Sequence, residues 1–230
     1  MIQGTPGTYL RLWEYAKAQQ YPEIDAYEQE TGYAIDPEFY HDAGLHLQVC
    51  IKGSNICYAH GRVVYSALRR LIADHPQEHY TILETGTARG FSAICMAKAL
   101  QDAGVQGTIT THDVLPHDQL MYWNCIDDHQ KGLQTRSQLL APWDITKYIT
   151  FVTGDSKKTL KPTQVDFAFL DGGHTYEDVK YEFSCLVNPK VVVFDDYTPN
   201  FPGICKAINE TPLKKRVINS ARSYVIGVPQ

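Results

Sequence analysis

A chain of 230 residues has room for one domain with a complete apolar core and an appended segment, and is short for two enzymatic domains. With 43% apolar and 20% charged residues it is composed like a folded globular protein, which excludes a disordered or fibrous chain. A formal net charge of -5 argues against a general binder of nucleic acid or of anionic membranes.

The six cysteines, Cys50, Cys57, Cys95, Cys125, Cys185 and Cys205, form no CxxC pair, and several lie in apolar runs, so they read as reduced and structural. No stretch is long and apolar enough to cross a bilayer, and the opening "MIQGTPGTYLRLWEY" lacks a basic segment followed by an apolar one. A cytoplasmic protein is expected.

Residues 1–79 are expected to form an N-terminal helical extension, with "TYLRLWEYAKAQQ" and "RVVYSALRRLIADH" as helices. Between them lies the glycine-punctuated, aromatic "GLHLQVCIKGSNICYAHG". This part reads either as a lid or substrate wall over the following domain, or as packing on its edge.

Residues 80–230 alternate short apolar runs with helical patterns, as a parallel sheet with crossover helices does. The predicted strands are "YTILE" (80–84), "GTITTHDV" (107–114), "YITFVTG" (148–154), "VDFAFLD" (165–171) and "KVVVFDD" (190–196). "GFSAICMAKALQDAG" is a helix stopped by Gly104, and "GICKAINET" is a shorter one. "KKRVIN" and "RSYVIGV" read as a terminal hairpin. An irregular insertion covers residues 116–143, after the second strand.

In an open parallel sheet ligands bind beyond the carboxyl ends of the strands. The first strand ends in "ETGTARGFS", where Gly86 and Gly90 flank a turn into a helix whose free N–H groups suit an anion. The spacing is neither GxGxxG nor that of a phosphate-binding loop. The second strand ends in Asp113, placed to accept hydrogen bonds from the ribose of a nucleoside cofactor, and the third in Asp155 and Ser156, within reach of a base.

In this order "ETGTARG", "HDV", "GDS" and "LDGGH" resemble the class I methyltransferases that use S-adenosylmethionine. The pair "DGGHTYEDV" and "VVVFDDY" looks most like the metal-dependent macrocin-type branch of sugar and polyketide O-methyltransferases. The resemblance covers roughly residues 80 to 228. It implies an α/β, Rossmann-like doubly wound fold: a mostly parallel seven-stranded sheet with a C-terminal antiparallel hairpin, here behind the N-terminal helical extension. It also implies that Glu84, Gly86, Gly90, Ser92 and Asp113 hold S-adenosylmethionine, with Asp155 and Ser156 near its adenine and Asp171 beside it.

Asp171 at the end of the fourth strand and Asp195 and Asp196 at the end of the fifth are expected to gather, and a shared hard cation such as Mg2+ would relieve their repulsion. His174 follows Asp171 after a Gly-Gly turn and suits a general base; it equally suits a cap of the next helix or a metal ligand. Asp195 and Asp196 have a second reading as caps of the turn before "TPNFPG". Arg89 reaches either a carboxylate of substrate or cofactor, or solvent. His46, His60, His112, His117 and His129 lack zinc spacing and read as surface or substrate-wall residues.

The leading expectation is therefore an O-methyltransferase for a small-molecule hydroxyl, with a sugar or glycosylated metabolite as acceptor. A nicotinamide-dependent oxidoreductase, a hydroxylase-like relative of the same fold and a non-catalytic scaffold are the alternatives. No nucleic-acid or membrane partner is expected, and the N-terminal extension offers a surface for self-association.

Overall fold

The computed structural model describes residues 1–230. Seven strands form the central sheet: β1 (His79–Thr85), β2 (Gln106–Asp113), β3 (Ile149–Thr153), β5 (Phe167–Leu170), β7 (Val191–Phe194), β8 (Leu213–Ile218) and β9 (Tyr224–Pro229). Their spatial order is β3-β2-β1-β5-β7-β9-β8. β1, β2, β3, β5 and β7 pair in parallel, and β9 runs antiparallel to both β7 and β8. This is the Rossmann-like, doubly wound sheet with its C-terminal hairpin. Two short strands, β4 (Thr163–Gln164) and β6 (Leu186–Val187), pair outside it.

The central strands β5 and β7 are apolar without a break because both faces of the sheet are covered there, as parallel sheets require. Every residue of "FAFL" in β5 is buried. Alternate side chains feed two cores. Ile82 and Phe169 join one large cluster, and Leu83 and Leu170 join the other. The chain leaves β1 toward β2 on one side, and β5 lies on its other side, so the strand order reverses there. The carboxyl ends of β1 and β5 therefore open a crevice.

Ten helices complete the fold. In the N-terminal extension α1 (Pro6–Lys17), α2 (Pro22–Thr31) and α3 (Pro37–Leu47) each start on a proline, whose missing N–H costs nothing in a first turn, and α4 (His60–Asp74) follows. Thr5 and Thr8 form a capping box on α1, and Asp36 caps α3. Sequence periodicity predicts α1 and α4 but not α2 and α3. The buried positions of α2 are Ile24, Tyr27, Glu28 and Thr31, and those of α3 are Tyr40, Ala43, Gly44 and Leu47. Both sets have helical spacing, yet each mixes polar or small residues into the stripe, so the apolar signal is weak.

Tyr9, Ile24 and Tyr40 of these helices belong to the same cluster as Ile82 and Phe169, so the extension covers one sheet face rather than resting on an edge. α5 (Phe91–Ala103) packs beside α4 on the same face, against β2. The opposite face carries α9 (Tyr176–Ser184) and α10 (Pro202–Asn209) through Val179, Ile204 and Ala207. The insertion holds the short helices α6 (Asp128–Lys131) and α7 (Arg136–Leu140), and α8 (Ser156–Thr159) follows β3. All six cysteines are unpaired and five are buried.

Candidate active site

The turn after β1 is shaped by contact with the turn after β5. Gly86 has φ +88°, and a Cβ there would lie 2.0 Å from the carbonyl oxygen of Asp171, so only glycine fits. The Asp171 N–H donates to the Thr85 carbonyl at 3.1 Å, which ties the two strand ends together. Gly90, at φ +93°, starts α5, and its missing side chain makes room for Leu140 of the insertion. Between the glycines Ala88 is also left-handed, at φ +44°.

Beyond this turn lies a cavity of about 270 Å³ lined by Gly86, Asp113, Asp155, Ser156, Gly172 and Gly173 among others. The two Asp113 oxygens accept from the Ala88 N–H at 2.5 Å and the Leu115 N–H at 2.7 Å. Each keeps a lone pair for a ligand. Asp155 caps α8 through the Lys157 N–H, and Ser156 donates to Glu182 at 2.8 Å.

Gly90 and Asp171, expected at the donor, do not line this cavity, and neither do Glu84 and Ser92. The latter two are buried beneath the glycine turn, where Glu84 accepts from the hydroxyls of Ser92 and Thr111. Burial pushes the Glu84 carboxyl up to about 7, against the opposing pull of those two hydroxyls. Glu182, absent from the sequence-based set, does line the cavity, and it accepts from Thr85 as well as Ser156. Its signal was an acid at a core position of α9, three residues after Val179.

On the far side of Gly172 and Gly173 a second cavity of about 500 Å³ opens, lined by Tyr15, Tyr21, Asn55, His174, Asp196 and Arg222 among others. The N-terminal extension thus forms part of its wall. His174 Nε2 lies 3.1 Å from Asp196 Oδ2, and its ring stacks on Phe201 with centroids 5.1 Å apart. Thr175, not His174, caps α9. The Asp196 hydrogen bond raises the His174 pKa, with burial opposing it. Burial works against the Asp196 carboxylate, but His174 and then Arg222, 3.9 Å away, hold its pKa below the ordinary range.

Ligating atoms of Asp171, His174 and Asp196 lie within 4.8 Å of one another. Asp195 lines the same small recess, so the three acids gather as expected, but its oxygens are not within that ligating distance. Asp196 sits at φ +55°, so the two consecutive side chains diverge. Asp195 Oδ1 accepts the Asp196 N–H at 2.7 Å, and its buried Oδ2 has no partner. Burial and then the neighbouring carboxylates raise the pKa values of Asp171 and Asp195.

Arg89 lines neither cavity and is only partly exposed: it donates to the carbonyls of Leu47 at 2.6 Å and Trp123 at 2.7 Å, tying the glycine turn to α3 and the insertion. Two histidines expected at a surface or substrate wall are buried. His60 stacks on Phe169 with planes 8° apart, and burial pushes it down to about 3. His112 is buried yet lines the smaller cavity, where it bonds Thr159 at 2.9 Å. His46 bonds the buried Asp127 at 2.5 Å, linking α3 to the insertion, while His117 and His129 are partly exposed.

A family model described as a methyltransferase domain matches residues 83–197, a span that contains every site residue named above from β1 to β7. The chain belongs to this methyltransferase family. Among curated proteins none matches it significantly. Of solved structures, the O-methyltransferase NovP superposes with a TM-score of 0.59 at 17% identity, over 82% of this chain and 88% of its own. CalS11, a TDP-rhamnose 3'-O-methyltransferase of calicheamicin biosynthesis, gives 0.50 at 20% identity over 71% and 77%. The S-adenosylhomocysteine-bound methyltransferase PaMTH1 of Podospora anserina gives 0.51 at 14% identity over 100% and 99%. At such identities the likeness is one of fold. For this methyltransferase the family assignment removes the oxidoreductase and scaffold readings.

Proposed function

We propose that this methyltransferase transfers the methyl group of S-adenosylmethionine to a hydroxyl oxygen of a small molecule, with a sugar or glycosylated metabolite as acceptor. The observation that carries the reading is the pair of cavities divided by the segment from Asp171 to His174. Gly172 and Gly173 line the smaller cavity and His174 the larger. Donor and acceptor have to meet past the edge of this segment, with the sulfonium methyl in direct contact and in line with the attacking oxygen, and such placement supplies a large part of the barrier reduction in a displacement of this type.

Asp113 accepts the donor's ribose hydroxyls with its remaining lone pairs, and Asp155 and Ser156 lie toward the base. In the larger cavity Tyr15 and Tyr21 offer ring faces and Asn55 and Asn200 offer amides, a mixture that suits a polyol with apolar ring faces. The fold likeness to CalS11, whose substrate is a nucleotide sugar, agrees with this acceptor class.

His174 takes the hydroxyl proton. Its Nε2 is engaged by Asp196, which fixes the ring and stabilises the charged form, so Nδ1 is the atom left for the acceptor. The neighbouring donors fit a divalent cation: Asp171 and Asp196 converge, Asp195 lines the same recess, and a shared cation would offset the burial and mutual repulsion that raise the pKa values of Asp171 and Asp195. Mg2+ bound by Asp171 and Asp196 would supply positive charge that favours the ionised acceptor hydroxyl.

The test is a screen for S-adenosylhomocysteine formation against nucleotide sugars, glycosides and phenols, with Mg2+ and with chelator. Turnover of a glycosyl hydroxyl that chelator abolishes supports the whole reading. Turnover of phenols alone rejects the acceptor class, and turnover unaffected by chelator rejects the cation.

A further inference from the structure

Arg136, the first residue of α7, has 1% of its surface exposed and no carboxylate within ion-pair distance. Burying a guanidinium without a paired acid is costly, so its hydrogen bonds have to account for it. They go to two backbone carbonyls. Nε donates to Ala88 O at 2.8 Å and Nη2 to Leu115 O at 3.3 Å. The guanidinium also lies 5.4 Å from the ring centroids of both Trp123 and Phe151, and the Arg136 N–H bonds the His117 carbonyl, so little freedom remains.

Ala88 and Leu115 are the same two residues whose N–H groups hold the two oxygens of Asp113. A closed arrangement results: one arginine grips the carbonyls, one aspartate accepts from the amides, and two residues join them. Ala88 has φ +44°, a left-handed conformation that alanine rarely adopts and that needs outside support. Asp113 and Arg136 also attract one another at longer range, offsetting the penalty of burying the cation.

We propose that Arg136 is a positioning residue for the methyl donor: by holding Ala88 and Leu115 it aims the Asp113 carboxylate at the donor's ribose, and it thereby couples the insertion to donor affinity. This rests on the reading of Asp113 as the ribose acceptor. Without the guanidinium the Ala88 peptide loses the contact that favours its orientation, and Asp113 turns away from the cavity. Contacts to the base are made from α8 and remain. The loss is therefore confined to what the ribose hydroxyls contribute.

The experiment titrates two ligands into wild type and Arg136→Met by calorimetry: 5'-methylthioadenosine and its analogue lacking both ribose hydroxyls. The first should bind the variant about tenfold more weakly, and the second should bind both proteins within about twofold. Equal losses for the two ligands would show a general structural role and overturn the proposal, as would no loss for either. If circular dichroism shows that Arg136→Met does not fold, Arg136→Lys, which keeps the charge but cannot reach both carbonyls, carries the same expectation. Failure of S-adenosylhomocysteine to bind wild type is a separate result, and it removes the donor reading along with this one.

Discussion

Glu84→Gln isolates the electrostatics beneath the glycine turn. Glu84 is fully buried, accepts from Ser92 and Thr111, and has its pKa pushed from 4.5 to about 7 by burial. Between those values the folded protein holds a proton that the unfolded chain releases, so stability falls as pH rises through the window. That displacement corresponds to about 3 kcal/mol, complete above the folded-state value. Glutamine keeps the shape and neutrality of the protonated acid, so the variant lacks this pH dependence. Urea unfolding of ligand-free wild type and Glu84→Gln, at about pH 5 and about pH 8, measures it. The variant should gain about 2.5 kcal/mol on wild type between the two conditions, which span most of the window. A stability difference that stays constant with pH would refute a carboxyl buried as described.

Gly86→Ala forces a Cβ against the Asp171 carbonyl at 2.0 Å and asks alanine to hold φ +88°. It should lower stability by about 3 kcal/mol or more in denaturant titration and eliminate donor binding, because both strand-end turns must move. Asp196→Asn removes the partner of His174, and turnover should fall by about two orders of magnitude or more while S-adenosylhomocysteine affinity changes less than about threefold, as calorimetry alongside a rate assay would read. Arg89→Ala leaves the Leu47 and Trp123 carbonyls without their donor, and a loss of about 1–3 kcal/mol should appear in thermal unfolding.

The strands were legible because burial on both faces leaves continuous apolar runs such as "FAFL", and the acids just beyond them stand out against that background. The same logic located Asp113, Asp171 and Asp196 at strand ends. Side-chain direction was not legible. Asp195 and Asp196 are adjacent and chemically identical, yet at the left-handed Asp196 the carboxylate pairs with His174, while Asp195 turns back to accept the Asp196 N–H in the same recess. Glu84 and Ser92 lie close enough to satisfy each other, a pairing that strand and helix patterns do not reveal. α2 and α3 escaped because Glu28, Thr31 and Gly44 occupy buried positions of their stripes. Arg136 lay in an irregular insertion, where charged residues are ordinarily solvated, and its burial follows from contacts with the distant Ala88 and Phe151.

The central claim is that the cavity bounded by Gly86, Asp113 and Gly172 receives the methyl donor. Calorimetric titration of S-adenosylhomocysteine into wild type and Asp113→Ala tests it most directly. Wild type should bind with micromolar affinity, and the variant about tenfold or more weakly. Equal affinity in the two proteins, or no binding by wild type, would contradict it.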